Sequence, residues 1–180
     1  MKLSELAGKQ IHFIGLGGAG MSGIARIMLA RGISVSGSDA KDSTVLSGLK
    51  TLGAQVFIGH QASNLGAADV LVVSSAIDQS NPEVAAAKTK GLTILSRAQA
   101  LALLMSESKS VAVAGTHGKT STTAMISFIV EEAGLDPTFI NGGILNNFAS
   151  NQKIGNSKFL VAESDESDGS FIDLPTKIGV

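Results

Sequence analysis

Residues 11–20 read IHFIGLGGAG, an apolar run from Ile11 to Ile14 closed by the glycine loop Gly15–Gly20. A short block of β-branched and aromatic residues suits a buried strand, and Gly-x-Gly-x-x-Gly behind it suits a tight turn into a helix. The helix is legible just beyond. Met21, Ile24, Ala25 and Met28 fall at i, i+3, i+4 and i+7, one helical face, and Gly32 can end it. Strand, glycine loop and helix together open a parallel α/β sheet. The free N–H groups and positive dipole end of such a helix favour a diphosphate. The loop alone does not separate NAD, FAD and UDP-sugars, which all present a diphosphate beside a ribose.

The same alternation continues outward. ISVSGSD (33–39) reads as a second strand ending at Asp39, about 20 residues past the loop, where an acid can bond a ribose hydroxyl. AQVFIGH (54–60) and DVLVVSSAI (69–77) read as a third and fourth strand. Pro82 is placed to start a helix through Glu83–Lys88, and LTILS (92–96) is a fifth strand before a helix over Ala98–Met105. After the polar stretch Ser106–Ser110 the plan begins again. VAVAG (111–115) is a fresh strand, and GTHGKT (115–120) leads into a helix with Met125, Ile126, Ile129, Val130 and Ala133 expected on its buried face, ended by Gly134. TFING (138–142) and FLVAE (159–163) read as further strands, and TKIGV (176–180) as the opening of another. The expected division is therefore residues 1–106 as one Rossmann-like nucleotide-binding domain. Residues 107–180 supply about half of a second α/β domain, which reads as the first part of a longer chain.

Composition narrows the partners. The 180 residues are 44% hydrophobic and 16% charged, with seven Phe and no Trp or Tyr, so the core must be aliphatic, as helix-covered parallel sheets are. A net charge of −1 without a basic run argues against nucleic acid. There is no cysteine, no signal-peptide h-region in MKLSELAGKQ, and no apolar run near the roughly 20 residues that span a bilayer. A cytoplasmic chain without membrane insertion is expected.

GTHGKT departs from the usual phosphate loop, since Gly115 and Gly118 enclose only Thr116 and His117 where four residues are standard. Its position after a buried strand and at the start of a helix is nonetheless the context in which the motif works. Lys119 is then the residue that reaches the β- and γ-phosphates, and the Thr120 hydroxyl the one that faces Mg²⁺. FLVAESDESD (159–168) sets Glu163, Asp165, Glu166 and Asp168 directly after a buried strand, where such enzymes hold their cation. Glu163, nearest the strand, is the expected metal ligand with Thr120. Asp165 and Asp168 suit solvated charges or helix caps, and Glu166 stays open. Among the histidines, His12 lies inside a strand, His117 inside the phosphate loop, and His60 at the carboxyl edge of the sheet with Ser74 and Ser75.

HFIGLGGAGMSGIA, GSD, GH, VVSSAI followed by NP, SRA, GTHGKTSTT, NGG and ESDESDGSF, in that order along the chain, resemble the Mur ligases of peptidoglycan synthesis. The shortened phosphate loop is the family's own form; Ser121 stands where the family commonly has Thr. ESDESDGSF is similar to the alanine-adding branch. The resemblance implies a UDP-binding Rossmann-like domain followed by a central ATPase domain and a C-terminal domain, of which this chain matches the first and the start of the second. It implies ATP and Mg²⁺ as cofactors and UDP-N-acetylmuramate and L-alanine as substrates. The lactoyl carboxylate would be activated as an acyl phosphate and attacked by the alanine amine. It further implies ATP contacts at Gly115, Thr116, His117, Gly118, Lys119, Thr120 and Ser121. Gly17, Gly18, Ala19, Gly20 and Met21 would line the UDP diphosphate, with Asp39, His60, Ser74, Ser75 and Ala76 around the uridine and sugar. Asn141, Gly142 and Gly143 would face the muramoyl group. Two other readings stand beside it: a UDP-sugar-binding module without catalysis, and an NAD-dependent oxidoreductase, which would leave GTHGKT and FLVAE unexplained.

Overall fold

The computed structural model describes residues 1–74, 76–148, 150–164 and 174–180. Ser75, Asp165, Glu166 and Asp168 lie outside the described residues. The chain forms two compact units, Ser4–Ala100 and Leu101–Val180, the second joined by Met1–Leu3.

The first unit alternates strands and helices: β1 (Gln10–Ile14), α1 (Ala19–Ala30), β2 (Ser34–Asp39), α2 (Thr44–Thr51), β3 (Gln55–Ile58), β4 (Val70–Val73), α3 (Pro82–Thr89) and β5 (Thr93–Ser96), with α4 (Arg97–Ser106) following. The five strands are parallel in the order β3-β2-β1-β4-β5. Strand order reverses between β1 and β4, so the crevice outside their carboxyl ends is where a doubly wound sheet accepts ligand. Met21, Ile24, Ala25 and Met28 are all buried, and Gly32 closes α1 at φ +75°, a left-handed value that glycine tolerates. Asn81 caps α3 by accepting the Glu83 N–H, with Pro82 in the first turn. α2 has no counterpart in the sequence reading. Its signal is Ser43, whose hydroxyl accepts the Leu46 N–H, but the helix buries only Leu46 and Leu49, too few for a visible period. Ile14, Leu65, Leu71, Val84 and Ala87 make the core between sheet and α3.

The second unit contains β6 (Lys109–Val113), α5 (Lys119–Glu132), β7 (Thr138–Leu145), β8 (Ser150–Lys153), β9 (Phe159–Glu163) and β10 (Ile178–Gly179), in the sheet order β10-β6-β9-β7-β8. All pairings are parallel except β7 with β8, an antiparallel edge the sequence does not announce. SNQK is polar and half-buried throughout, so β8 lacks the apolar alternation by which a strand is recognised. Val111, Phe139, Leu145 and Val161 form the core, with Ala124 and Ile126 of α5 against it.

The expected buried face of α5 is corrected here. Met125 and Ile129 are 58% and 65% exposed, Ala133 is exposed, and Ile126 and Val130 are half-buried. The fully buried residues of the helix are Thr123 and Ser127. Small hydroxyl side chains let the helix approach the sheet closely, and Ala124 and Phe128 of α5 border a cleft of ≈ 250 Å³ with Ile144 and Phe148. Periodicity identified the helix, but its buried side is set by the small hydroxyl residues Thr123 and Ser127, which an apolar period does not register.

Candidate nucleotide and phosphate sites

Each unit places one glycine loop at the carboxyl end of its sheet. In the first, β1 ends at Ile14, and Gly15 and Leu16 donate their N–H groups to the Ser38 carbonyl of β2. This anchors the loop beside Asp39, whose Oδ2 accepts the Gly17 N–H at 2.8 Å. Gly18 begins α1 without a side-chain cap, leaving the first-turn N–H groups of Ala19, Gly20 and Met21 for an anion. Met21 is 2% exposed, so only its backbone can serve. His60, Ser74 and Ala76 share the same carboxyl edge, past the ends of β3 and β4.

Behind that edge lies a cluster the sequence reading missed. Glu83, in the first turn of α3, has no exposed surface. Its carboxylate accepts from Ser38 Oγ, from Asn64 Nδ2 at 2.6 Å and from the Gln61 N–H at 3.2 Å. Nε2 of buried His12 stands 3.4 Å from Oε2. Burial pushes the Glu83 carboxyl up, but bonds from His12, Ser38 and Asn64 outweigh it and hold the group below its usual value. The Ser38 hydroxyl spends its single proton on Glu83, so at 2.9 Å it accepts from Nδ1–H of His60. A proton on Nδ1 leaves Nε2 as the ring nitrogen without a bond to this cluster. Nothing periodic marks Glu83; the trace it leaves is Asn-Pro-Glu at a helix start.

In the second unit the loop runs from Ala114 to Gly118, with Gly115 at φ +134° and Gly118 at φ +80°. Both angles are costly for any side chain bearing a Cβ. Lys119 opens α5, and its Nζ donates to the Gly115 carbonyl at 2.7 Å, folding the ammonium back over the loop. Thr116, His117, Gly118, Thr120 and Ser121 are exposed around it. β6 and β9 pair so that Val113 lies opposite Glu163, which sets the last residue of β9 beside the loop. The Thr120 hydroxyl lies 3.1 and 3.3 Å from the two Glu163 oxygens, and the Gly142 N–H donates to Oε2 at 2.7 Å.

A hydroxyl and a carboxylate are the hard oxygen donors Mg²⁺ prefers. Neighbouring ligands around an octahedral Mg²⁺ are about 2.9 Å apart, close to the separation found here. The pair therefore fits the ion. Asn141, Gly142 and Gly143 sit on β7 against this pair. A Cβ on Gly142 would meet Glu163 Oε2 at 2.8 Å, and one on Gly143 would meet Thr120 Cγ2 at 3.1 Å. Their smallness thus has a local cause, the approach of β7 to the carboxylate, which the sequence could not reveal.

A parallel sheet with a glycine turn at its switch point, followed by a second, shortened glycine–lysine loop backed by a strand-end carboxylate, is the architecture of a nucleotide-dependent class of protein. Residues 10–109 match the family model described as Mur ligase family, catalytic domain, and the chain belongs to the Mur ligase family. It is 56% identical over all 180 residues to the UDP-N-acetylmuramate–L-alanine ligase of Renibacterium salmoninarum, of which it spans 38%. Among solved structures, it resembles the UDP-N-acetylmuramate:L-alanyl-γ-D-glutamyl-meso-diaminopimelate ligase of Neisseria meningitides. That likeness has 34% identity and a TM-score of 0.86, over 95% of this chain and 59% of the other. The UDP-N-acetylmuramate-alanine ligase of Thermotoga maritima is similar at 31% identity and a TM-score of 0.82, over 95% of this chain and 40% of that one. Among the described residues, no helix is long and apolar enough to cross a membrane.

Proposed function

We propose that the chain carries the nucleotide-sugar site and the ATP loop of a cytoplasmic ligase joining L-alanine to the lactoyl carboxylate of UDP-N-acetylmuramate. The observation that carries the reading is the pairing of Thr120 with Glu163 beside a loop whose Lys119 lies over it. A dehydrogenase has no use for that second loop, and 56% identity to an alanine-adding ligase supports the same choice.

Residues 1–106 are proposed as the UDP-sugar domain and 107–180 as the beginning of the ATP domain. At the first loop, Gly17 and Gly18 line the diphosphate with their backbone, and the N–H groups of Ala19, Gly20 and Met21 bind it. Asp39 offers its second oxygen to a ribose hydroxyl, and His60 Nε2 faces the uridine or sugar with Ser74 and Ala76. At the second, backbone N–H groups of Gly115–Ser121 cradle the ATP phosphates, and Lys119 balances charge as it builds on the transferred phosphoryl group. Thr120 and Glu163 hold Mg²⁺, which when bound neutralises phosphate charge. The Gly142 N–H keeps the carboxylate in place, and Asn141, Gly142 and Gly143 border the muramoyl end.

The test is calorimetric titration of the 180-residue chain with UDP-N-acetylmuramate, NAD and Mg-ATP. Binding of the UDP-sugar without NAD is expected. NAD binding without the UDP-sugar would sink the reading. A second reading, a binding module without turnover, is favoured for these 180 residues alone because they match 38% of the relative. Alanine-dependent phosphate release by this chain would refute it.

A further inference from the structure

The third glycine of the first loop has a neighbour that the nucleotide reading does not account for. Gly20 is the second residue of α1, in ordinary helical backbone. A Cβ built on it would meet Arg97 Nη1 at 2.9 Å, Cδ at 3.1 Å and Cζ at 3.7 Å. The guanidinium therefore lies directly over the Gly20 Cα. Arg97 follows Ser96, the last residue of β5, so it too stands on the carboxyl edge of the sheet, reached from the far side of the switch point.

We propose that Arg97 is the cationic contact for the diphosphate of a nucleotide held at the glycine loop, and that Gly20 is glycine to seat the guanidinium. The inference rests on the UDP-sugar reading above. A diphosphate carries charge that the uncapped N–H groups of α1 meet only with partial dipoles, and the nearby Asp39 carboxylate repels it. A planar guanidinium with several donors is the side chain best matched to bridging phosphate oxygens. Specificity follows from this. Arg97 selects nucleoside diphosphates over monophosphates and nucleosides, whereas Asp39 and His60 read the ribose and base.

Gly20→Ala tests the arrangement without removing the arginine. Alanine is the better helix former, and the atoms it meets are the outer part of a flexible side chain, which moves aside. Uridine, UMP and UDP are titrated by calorimetry into the wild-type chain, Arg97→Ala, Arg97→Lys and Gly20→Ala, with thermal midpoints recorded. The expected result is a 10- to 100-fold loss of UDP affinity in Arg97→Ala, a smaller loss for UMP, and less than twofold for uridine. Arg97→Lys should recover part of the loss. Gly20→Ala should repeat the phosphate-dependent loss with a midpoint no lower than wild type. Equal losses for all three ligands, or wild-type UDP affinity in Arg97→Ala, would overturn the inference and leave the UDP-sugar reading intact. Failure of the wild-type chain to bind any uridine nucleotide would overturn both.

Discussion

Glu83 shows how much one buried side chain can hold. Its two oxygens tie β2 through Ser38, the turn at Ala62–Leu65 through Asn64, and α3 to which it belongs. Removing it strands those donors and His12 without water, so Glu83→Ala is expected to cost about 3 kcal/mol or more in urea unfolding. Because the folded-state carboxyl is held below its usual 4.5, its contribution is present above that pH and is lost as pH falls through the depressed value. Glu83→Gln should therefore flatten the acid limb of the stability profile. At the phosphate loop, Lys119→Ala removes the ammonium seated over Gly115 and is expected to weaken Mg-ATP binding by about tenfold or more, read by calorimetry. Neither Glu83 nor Arg97 stands out by spacing, because each acts through contacts with elements far away in sequence.

The helices of the two units differ in what holds them. α1 presents one apolar stripe, and Ile24, 1% exposed, lies at its middle. Ile24→Ala should cost about 2–5 kcal/mol by lost burial and the cavity left behind. α5 turns Ile129 outward at 65% exposure, so Ile129→Ala in the same chain should change stability by no more than about 0.5 kcal/mol. Urea midpoints of the two variants decide the matter; a large cost at Ile129 would mean that the outer face of α5 is covered in solution. At the far end of α5, Lys153 of β8 reaches both Glu131 and Asp136, joining the helix to the edge strand. The Lys153 ammonium and the Asn156 N–H hold the Asp136 carboxyl down at about 2. A carboxyl depressed in the folded state stabilises above its usual 3.8, and that stability is lost as pH drops toward about 2. Asp136→Asn should thus be destabilising at neutral pH, with the difference from wild type shrinking on acidification, measurable as urea midpoints across that window.

In the whole molecule, each unit owns a complete glycine loop and the strand-end acid that accompanies it, Asp39 in one and Glu163 in the other. A ligand that binds only the folded form adds stability to the unit that holds it, about 2.7 kcal/mol at a hundredfold excess over Kd. Saturating UDP-N-acetylmuramate is therefore expected to slow amide hydrogen exchange in residues 4–100, and Mg-ATP in residues 101–180. Protection of 101–180 by the UDP-sugar alone, away from Asn141–Gly143, would contradict the assignment of sites to units.

The strand–loop–helix units, the parallel sheet of the first unit and the place of both glycine loops at strand ends were determined by sequence, because glycine loops, apolar periods and strand-end acids are local patterns. Tertiary structure decided the rest. It turned Thr123 and Ser127 inward in place of Met125 and Ile129, because close packing against a sheet rewards small side chains as well as apolar ones. It added the antiparallel strand β8, which has no apolar pattern of its own. It also explained the glycines. Gly142 leaves room for a carboxylate 21 residues away, and Gly20 for an arginine at the end of another strand. A one-dimensional pattern marks where a side chain is absent, and only the packed chain shows what fills the space.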